Sequence, residues 1–147
     1  MIPSFNADGN LPAGIHWAEW PEITTRFGTN SHRARLLEGL YKALITLKQA
    51  GCTTVFIDGS FVTKKQYPQD FDACWDLSNV NPELLEPTLL DFSQGRAAQK
   101  AKYLGELFPA QIFADQNQTT FLDLFQTDKD TGKRKGIIAI SLETLSL

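Results

Sequence analysis

Residues 59–72 of the chain are Gly59-Ser60-Phe61-Val62-Thr63-Lys64-Lys65-Gln66-Tyr67-Pro68-Gln69-Asp70-Phe71-Asp72. Just before this segment, the β-branched and aromatic residues of 53–57 predict a short buried strand. The segment leads into residues 70–76, where apolar residues alternate with three acids and a cysteine, which predicts a second strand. The sequence therefore predicts two successive strands, with a Gly-Ser pair at the end of the first and two acids at the start of the second.

The two acids at the start of the second strand predict a metal site. Asp70 and Asp72 are two residues apart, so both carboxylates project from the same face of a strand. Carboxylates so close repel each other, and a divalent cation between them removes that repulsion. Mg²⁺ prefers carboxylate, phosphate and water oxygens as ligands. Gly59 lets the chain approach phosphates closely, and the Ser60 hydroxyl can hydrogen-bond a polyphosphate.

This arrangement resembles the signature of the polymerase-β-like nucleotidyltransferase superfamily, in which Gly-Ser, a spacer and Asp-x-Asp follow one another. Its members transfer a nucleoside monophosphate from a nucleoside triphosphate to a hydroxyl. The resemblance implies that Asp70 and Asp72 are catalytic and bind Mg²⁺ or Mn²⁺. It also implies that Gly59 and Ser60 contact the nucleotide. Many small members have an arginine shortly after Gly-Ser, and here Lys64 and Lys65 occupy that stretch as candidate triphosphate ligands.

Active members of the superfamily also have a third carboxylate on a later strand. Glu106, Asp115 and Asp123 are the candidates in this chain, and we assign the role to Asp123 because an apolar frame surrounds it. Residues 107–114 are the predicted strand where such an acid would be expected. Gln111 lies there instead.

The likeness extends along the chain to a group of small bacterial proteins within the superfamily. The shared patterns lie in residues 3–16, 58–63, 70–75, 121–126 and 135–137. Relatives in the wider superfamily include nucleotidyltransferases of toxin–antitoxin pairs. The resemblance therefore implies an enzyme that uses a nucleoside triphosphate and modifies a protein, an RNA end or a small molecule. The alternative is an antitoxin or binding module that keeps the fold, lacks catalysis and acts on a partner protein.

The remaining patterns predict both helices and strands, and therefore an α+β fold. The resemblance implies that this fold is nucleotidyltransferase-like, with helices packed on one face of a small mixed β-sheet. We expect a single domain over residues 1–147, with an irregular arm over 1–16 that is rich in Pro, Gly, Asn and Asp. Leucines at three- and four-residue spacing predict a helix over residues 31–50, capped by Thr29, Asn30 or Ser31. The other predicted elements are helices at 18–27, 95–104 and after Thr119 or Thr120, and a final strand at 136–142.

Composition excludes several classes of protein. The chain has 147 residues, 42% of them hydrophobic and 21% charged, which is typical of one folded domain. A net charge of −3 gives no support for broad, nonspecific binding of nucleic acid. No apolar stretch approaches the length of a membrane span, and the start lacks the pattern of a signal peptide. Cys52 and Cys74 predict buried thiols, so we expect a cytoplasmic protein.

Overall fold

A five-stranded mixed sheet forms the centre of the computed structural model, which describes residues 1–145. The strands are β1 Gly14–Trp17, β2 Thr54–Asp58, β3 Phe71–Trp75, β4 Gly105–Pro109 and β5 Gly136–Ser141, in the order β1-β5-β2-β3-β4. The helices are α1 Trp20–Phe27, α2 Ser31–Gln49, α3 Ser93–Tyr103 and α4 Phe121–Phe125. The predicted α+β class with a small mixed sheet is confirmed.

The sheet contains both antiparallel and parallel strand pairs. β2 and β3 are antiparallel neighbours, joined by residues 59–70. β4 lies parallel to β3, because the chain crosses back through α3 before it re-enters the sheet. β5 pairs antiparallel with β2 and parallel with β1.

Alternating side chains divide the core between the two faces of the sheet. Val55, Ile57 and Ala73 belong to the main core, together with the apolar residues of α1 and α2 and Tyr103 of α3. On the opposite face, a smaller cluster contains Cys74 and Phe125 of α4. The expectation of helices on one face therefore holds for α1, α2 and α3. The five-residue α4 lies on the other face and leaves part of it open.

Two sequence-based boundaries need correction. The predicted irregular arm contains β1 at its end, which pairs with β5 and extends to Trp17. The strand predicted at 107–114 is β4, which begins two residues earlier and ends at Pro109 on the sheet edge, where a proline is tolerated. Gln111 lies beyond that strand, and its amide donates to Asp76 at 2.6 Å. Ser146 and Leu147, the end of the predicted domain, lie outside the described residues.

Candidate functional site

Neighbouring strands bring four carboxylates together on the open face of the sheet. In the register of the strands, Asp58 of β2 lies opposite Asp72 of β3, and Asp72 lies opposite Glu106 of β4. Asp70 precedes Asp72 by two positions and so shares its face. We call Asp58, Asp70, Asp72 and Glu106 the acidic row.

Cations balance the two ends of the acidic row but not its middle. At one end, Arg96 and Lys100 each lie 3.1 Å from the Glu106 carboxylate. At the other end, Lys135 Nζ lies 3.6 Å from Asp58. Within residues 1–145, Asp70 and Asp72 have no ion-pair partner. The middle of the row is therefore where a further cation would be most stabilising.

The pKa values of the row follow from burial and from this charge distribution. Burial, followed by the charges of Asp70, Glu106 and Asp58, raises the pKa of Asp72 to about 7. Burial also raises the pKa of Asp58 to about 6, although Lys135 opposes the shift. The pKa of Asp70 is raised by burial and by Glu106. Without a bound cation, burial and the neighbouring carboxylates all favour the protonated form of Asp72.

Glu106 behaves differently from the other acids. Burial disfavours its charged form, but hydrogen bonds from Lys100 and Arg96 outweigh that effect and hold its pKa below the ordinary value. Glu106 thus stays ionised and lies within reach of a proton on Asp72. Its presence in the row depends on the true start of β4. Because the predicted strand begins two residues too late, the sequence leaves Glu106 as one of three alternatives.

Position 59 requires a glycine, because of its backbone conformation and because the Asp72 carboxylate lies close to it. Its φ angle is +82°, which favours glycine. A Cβ at residue 59 would also lie 2.5 Å from Asp72 Oδ2. The close approach that the structure shows at Gly59 is to the Asp72 carboxylate, and the approach of phosphates to Gly59 stays a prediction. Beside it, Asp58 is 3% exposed, and within the described residues its Oδ1 accepts no hydrogen bond.

A cleft of about 660 Å³ opens beside the acidic row. It lies between a first wall, residues 58–72, and a second wall, residues 124–135. Its lining residues are Asn10, Asp58, Gly59, Ser60, Thr63, Lys65, Gln69, Asp70, Asp72, Leu124, Phe125, Thr127, Asp128, Lys129, Asp130 and Lys135. Five of these residues are aspartates and three are lysines. The lining is therefore net acidic, and an anion would be repelled unless a cation accompanied it.

A buried arginine of α2 fixes the first wall. Arg33 is 3% exposed, and its guanidinium donates to the carbonyl oxygens of Phe61 at 2.7 Å, Thr63 at 2.8 Å and Lys65 at 2.5 Å. It also donates to the Phe27 carbonyl at 3.2 Å. All of these acceptors are neutral, and burial lowers the pKa of Arg33. One side chain thus sets the path of the chain after Ser60.

Two neighbours of Arg33 extend this attachment. The Asn30 amide donates to the Gln66 carbonyl at 2.8 Å, while its oxygen caps α2 by accepting from the Arg33 backbone at 2.8 Å. The His32 ring donates to the Pro68 carbonyl. We call Asn30, His32 and Arg33 the clamp, and their role is not among the predictions from the sequence. The sequence contains a signal for the unusual role of Arg33. The leucine stripe that passes through Leu36 and Leu40 also passes through position 33, so an apolar side chain is expected there and an arginine is found instead.

The second wall is a hairpin-like turn attached mainly by local backbone bonds. Asp128 and Lys133 are joined by a backbone hydrogen bond of 2.8 Å, and Gly132 donates to the Asp128 carbonyl at 2.7 Å. Most side chains from Lys129 to Arg134 are exposed. Asn10 donates to the Asp128 carboxylate at 3.4 Å and links the turn to the N-terminal segment.

The predicted nucleotide ligands are divided between the cleft and its surroundings. Gly59, Ser60 and Lys65 line the cleft, as Asp70 and Asp72 do. Lys64 does not, because its side chain packs beside Gly9 and its backbone donates to the Gly9 carbonyl at 3.0 Å.

The candidate third carboxylates are also separated. Asp123 is exposed on α4, lies 3.6 Å from Arg134 and is not part of the cleft lining. Asp115 is exposed and accepts hydrogen bonds from Asn117 and Thr119 within its own turn. Of the three candidates, the strand register brings Glu106 to Asp72.

Two further findings limit what the site and the chain contain. Across residues 1–145, no three carboxylate, imidazole or thiolate groups already converge in a metal-binding arrangement. A cation between Asp70 and Asp72 would therefore complete its shell with water or phosphate oxygens, which suits Mg²⁺.

No helix within residues 1–145 is long and apolar enough to cross a membrane.

Comparison with known proteins finds one match. No curated protein and no solved structure matches the chain. A family model described as "Family of unknown function (DUF6932)" matches residues 3–141 and so covers nearly all of the sequence. That description assigns no activity. The extent of the match shows that the chain belongs to the DUF6932 family.

Proposed function

We propose that the chain is a metal-dependent nucleotidyltransferase, which moves a nucleoside monophosphate from a nucleoside triphosphate to a hydroxyl acceptor. The observation that carries the proposal is the acidic row. Its ends are paired with cations, while Asp70 and Asp72 in its middle have no ion-pair partner among residues 1–145. The resemblance of residues 59–72 to the nucleotidyltransferase signature supports the same conclusion.

The donor set fits a hard divalent cation. Asp70 and Asp72 offer oxygen ligands on one face, and the ionised Glu106 lies beside them. These are the ligands that Mg²⁺ or Mn²⁺ takes in proteins. When bound, the cation would neutralise charge that develops on the phosphate oxygens and on the leaving group. In this proposal Glu106 replaces Asp123 as the third carboxylate.

The cleft can bind the triphosphate from both walls. Ser60, Thr63 and Lys65 lie on the first wall, and Lys129 and Lys135 lie on the second. Lys135 is the most constrained of these cations, since its side chain is 21% exposed and lies beside the buried Asp58. Because the lining is net acidic, the nucleotide should bind as its Mg²⁺ complex and only weakly without the metal.

The chemical step is a single displacement at phosphorus. The acceptor oxygen forms a bond to the α-phosphorus, and the bond from that phosphorus to the bridging oxygen breaks. Pyrophosphate leaves with the electron pair of the broken bond, and the hydroxyl proton passes to a carboxylate of the acidic row. The residues of this chain position the triphosphate and orient the acceptor, since positioning and charge stabilisation dominate this class of reaction.

The test is incubation with α-labelled nucleoside triphosphates, Mg²⁺ or Mn²⁺, and a cell lysate as the source of protein, RNA and small-molecule acceptors. Asp70→Asn and Asp72→Asn should each lower label transfer by about 100-fold or more. Glu106→Gln should lower it strongly as well, whereas Asp123→Asn and the control Asp115→Asn should not. Label transfer that survives in the Asp70→Asn/Asp72→Asn double variant would rule out the proposed mechanism.

A second candidate is a binding module, such as an antitoxin, that acts on a partner protein in the cytoplasm. Exposed apolar side chains near α4 favour it, since Phe92, Ile112, Phe113 and Leu124 are each at least 39% exposed. The buried, unpaired Cys52 and Cys74 fit a reducing compartment. No label transfer from any nucleotide, together with tight binding to a partner protein through this apolar surface, would favour the second candidate over the first.

A further inference from the structure

A second cavity, of about 260 Å³, lies next to the cleft and shares two residues with it. Its lining consists of His32, Arg35, Leu36, Gln69, Asp70, Lys100 and Leu104. Gln69 and Asp70 also line the cleft. The Asp70 carboxylate therefore lies at the boundary between the two spaces.

The two spaces differ in charge: the cleft is net acidic, whereas the second cavity is close to neutral and has one cation, Arg35, that no ion pair within residues 1–145 neutralises. The cleft has five aspartates against three lysines. In the second cavity, Arg35 and Lys100 face one carboxylate, Asp70. Lys100 is already paired with Glu106. Arg35 is exposed, and within residues 1–145 it makes no hydrogen bond and no ion pair, so its guanidinium is available to an anion. A guanidinium binds phosphate oxygens in a two-pronged geometry that lysine cannot reproduce.

The surroundings of the second cavity are preformed. The His32 ring is already bonded to the Pro68 carbonyl, which fixes the chain just before Gln69. Leu36 is buried beneath the cavity. The cavity is less than half the volume of the cleft, so it can contain a phosphate and a few neighbouring atoms, while the rest of a larger molecule extends outside.

We propose that the second cavity binds a phosphate group of the acceptor, close to the hydroxyl that receives the nucleotide. The inference rests on the proposed nucleotidyltransferase function. In an in-line displacement, the attacking oxygen and the leaving pyrophosphate lie on opposite sides of the α-phosphorus. Two spaces that meet at Asp70 provide those two sides. The pyrophosphate lies in the cleft near Ser60, Lys65 and Lys135, and the acceptor enters from the side of Arg35 and Lys100.

The phosphate can belong to a small molecule or to the end of an RNA chain, and one titration distinguishes them. Ribose 5-phosphate and the dinucleotide UpU would be titrated separately into the isotope-labelled protein, with affinity and site followed by ¹H–¹⁵N NMR. Arg35→Gln is the test variant. Lys42→Gln is the matched control, because Lys42 is an exposed cation on the same helix and outside the second cavity.

We expect at least one probe to shift the resonances of residues that line the second cavity. Arg35→Gln should weaken its binding by about fivefold or more, since a charge-assisted hydrogen-bond pair is lost, and Lys42→Gln should not. Binding of ribose 5-phosphate would identify a small phosphorylated acceptor, and binding of UpU an RNA end. Equal affinity in wild type and Arg35→Gln, shifts confined to the cleft, or no binding of either probe would overturn the inference.

A parallel titration with the Mg²⁺ complex of ATP, GTP, CTP or UTP separates this inference from the proposed function. Arg35→Gln should leave that affinity unchanged, because Arg35 does not line the cleft. If the wild type binds a phosphate probe at the second cavity but binds no Mg²⁺–nucleotide, the nucleotidyltransferase proposal fails and the phosphate site stands.

Discussion

The two walls of the cleft are attached to the protein in different ways. The first wall, residues 58–72, receives side-chain hydrogen bonds from Asn30, His32 and Arg33, which are distant in sequence. The second wall, residues 124–135, depends mainly on backbone bonds within its own turn. The geometry of the first wall therefore depends on α2 and the core, whereas that of the second is largely a local property.

This difference matches the chemistry assigned to each wall. In the proposed mechanism, Asp70, Asp72 and the Gly-Ser pair of the first wall must be placed accurately relative to β4 and Glu106 in order to bind a cation. The second wall contributes Lys129 and Lys135, whose charges act over longer distances and tolerate small displacements. Substitutions in the clamp should accordingly lower the free energy of unfolding more than substitutions in the turn of the second wall.

The largest loss of stability is expected when the clamp residue Arg33 is replaced. Arg33→Met keeps much of the side-chain volume but leaves the carbonyls of Phe61 and Thr63 without their buried donor. Loss of several hydrogen bonds to a charged group should lower the free energy of unfolding by about 3–5 kcal/mol. Urea denaturation would measure it, with the exposed Arg35→Met on the same helix as the control. A loss below about 1 kcal/mol, similar to the control, would show that the clamp is not what fixes the first wall.

A smaller effect is expected at the glycines of the two walls. Gly59 and Gly132 both have positive φ angles, +82° and +73°. A methyl group at residue 59 would contact Asp72, whereas at residue 132 it would have no atom of residues 1–145 within 4 Å apart from its own chain neighbours. Gly59→Ala should therefore cost about 2–4 kcal/mol, and Gly132→Ala only the backbone strain of about 1 kcal/mol. Thermal unfolding of both variants gives the comparison, and equal losses would contradict the close approach of Gly59 to Asp72.

These glycines also show how much the sequence could predict. The order helix, strand, Gly-Ser and strand was evident from residues 31–76, because periodicity and turn residues are local signals. Of the acidic row, the sequence predicts the pair Asp70 and Asp72, because two residues so close along one strand share a face. Asp58 and Glu106 join that pair only through strand pairing, which is not a local signal. The contact between Gly59 and Asp72 could not be foreseen for the same reason. The second cavity depends on α2 and α3 meeting the 69–70 segment, which no single stretch encodes.

A third effect concerns the pH dependence of stability. The pKa of Asp72 in the folded protein is about 7, above its ordinary value, so the folded state binds more protons than the unfolded state between about pH 4 and pH 7. The free energy of unfolding should fall as the pH rises through that range. Asp72→Asn removes the titrating group, and it should stabilise the protein by about 1–3 kcal/mol at pH 8 and by little at pH 4.

Two controls make this pH prediction specific to the first wall. The pKa of Asp128 on the second wall is lowered, by backbone hydrogen bonds from Asp130 first, so Asp128→Asn should have the opposite sign and destabilise the protein at neutral pH. Mg²⁺ should stabilise the wild type at pH 8 more than the Asp72→Asn variant, because it binds the ionised acidic row. Stability of the wild type that rises from pH 4 to pH 7, by the same amount as in Asp72→Asn, would contradict the raised pKa.

The smallest effect is expected on the second wall. Arg134 and Asp123 are 3.6 Å apart, and their side chains are 53% and 63% exposed. An exposed ion pair of this kind contributes about 0–1 kcal/mol, because water and salt screen the charges. Arg134→Gln and Asp123→Asn should each change the free energy of unfolding by less than about 0.5 kcal/mol, and 0.5 M NaCl should remove the difference. A loss above 1 kcal/mol in either variant would mean that side chains, and not the local backbone bonds, fix the turn. The two walls would then differ in composition but not in how they are stabilised.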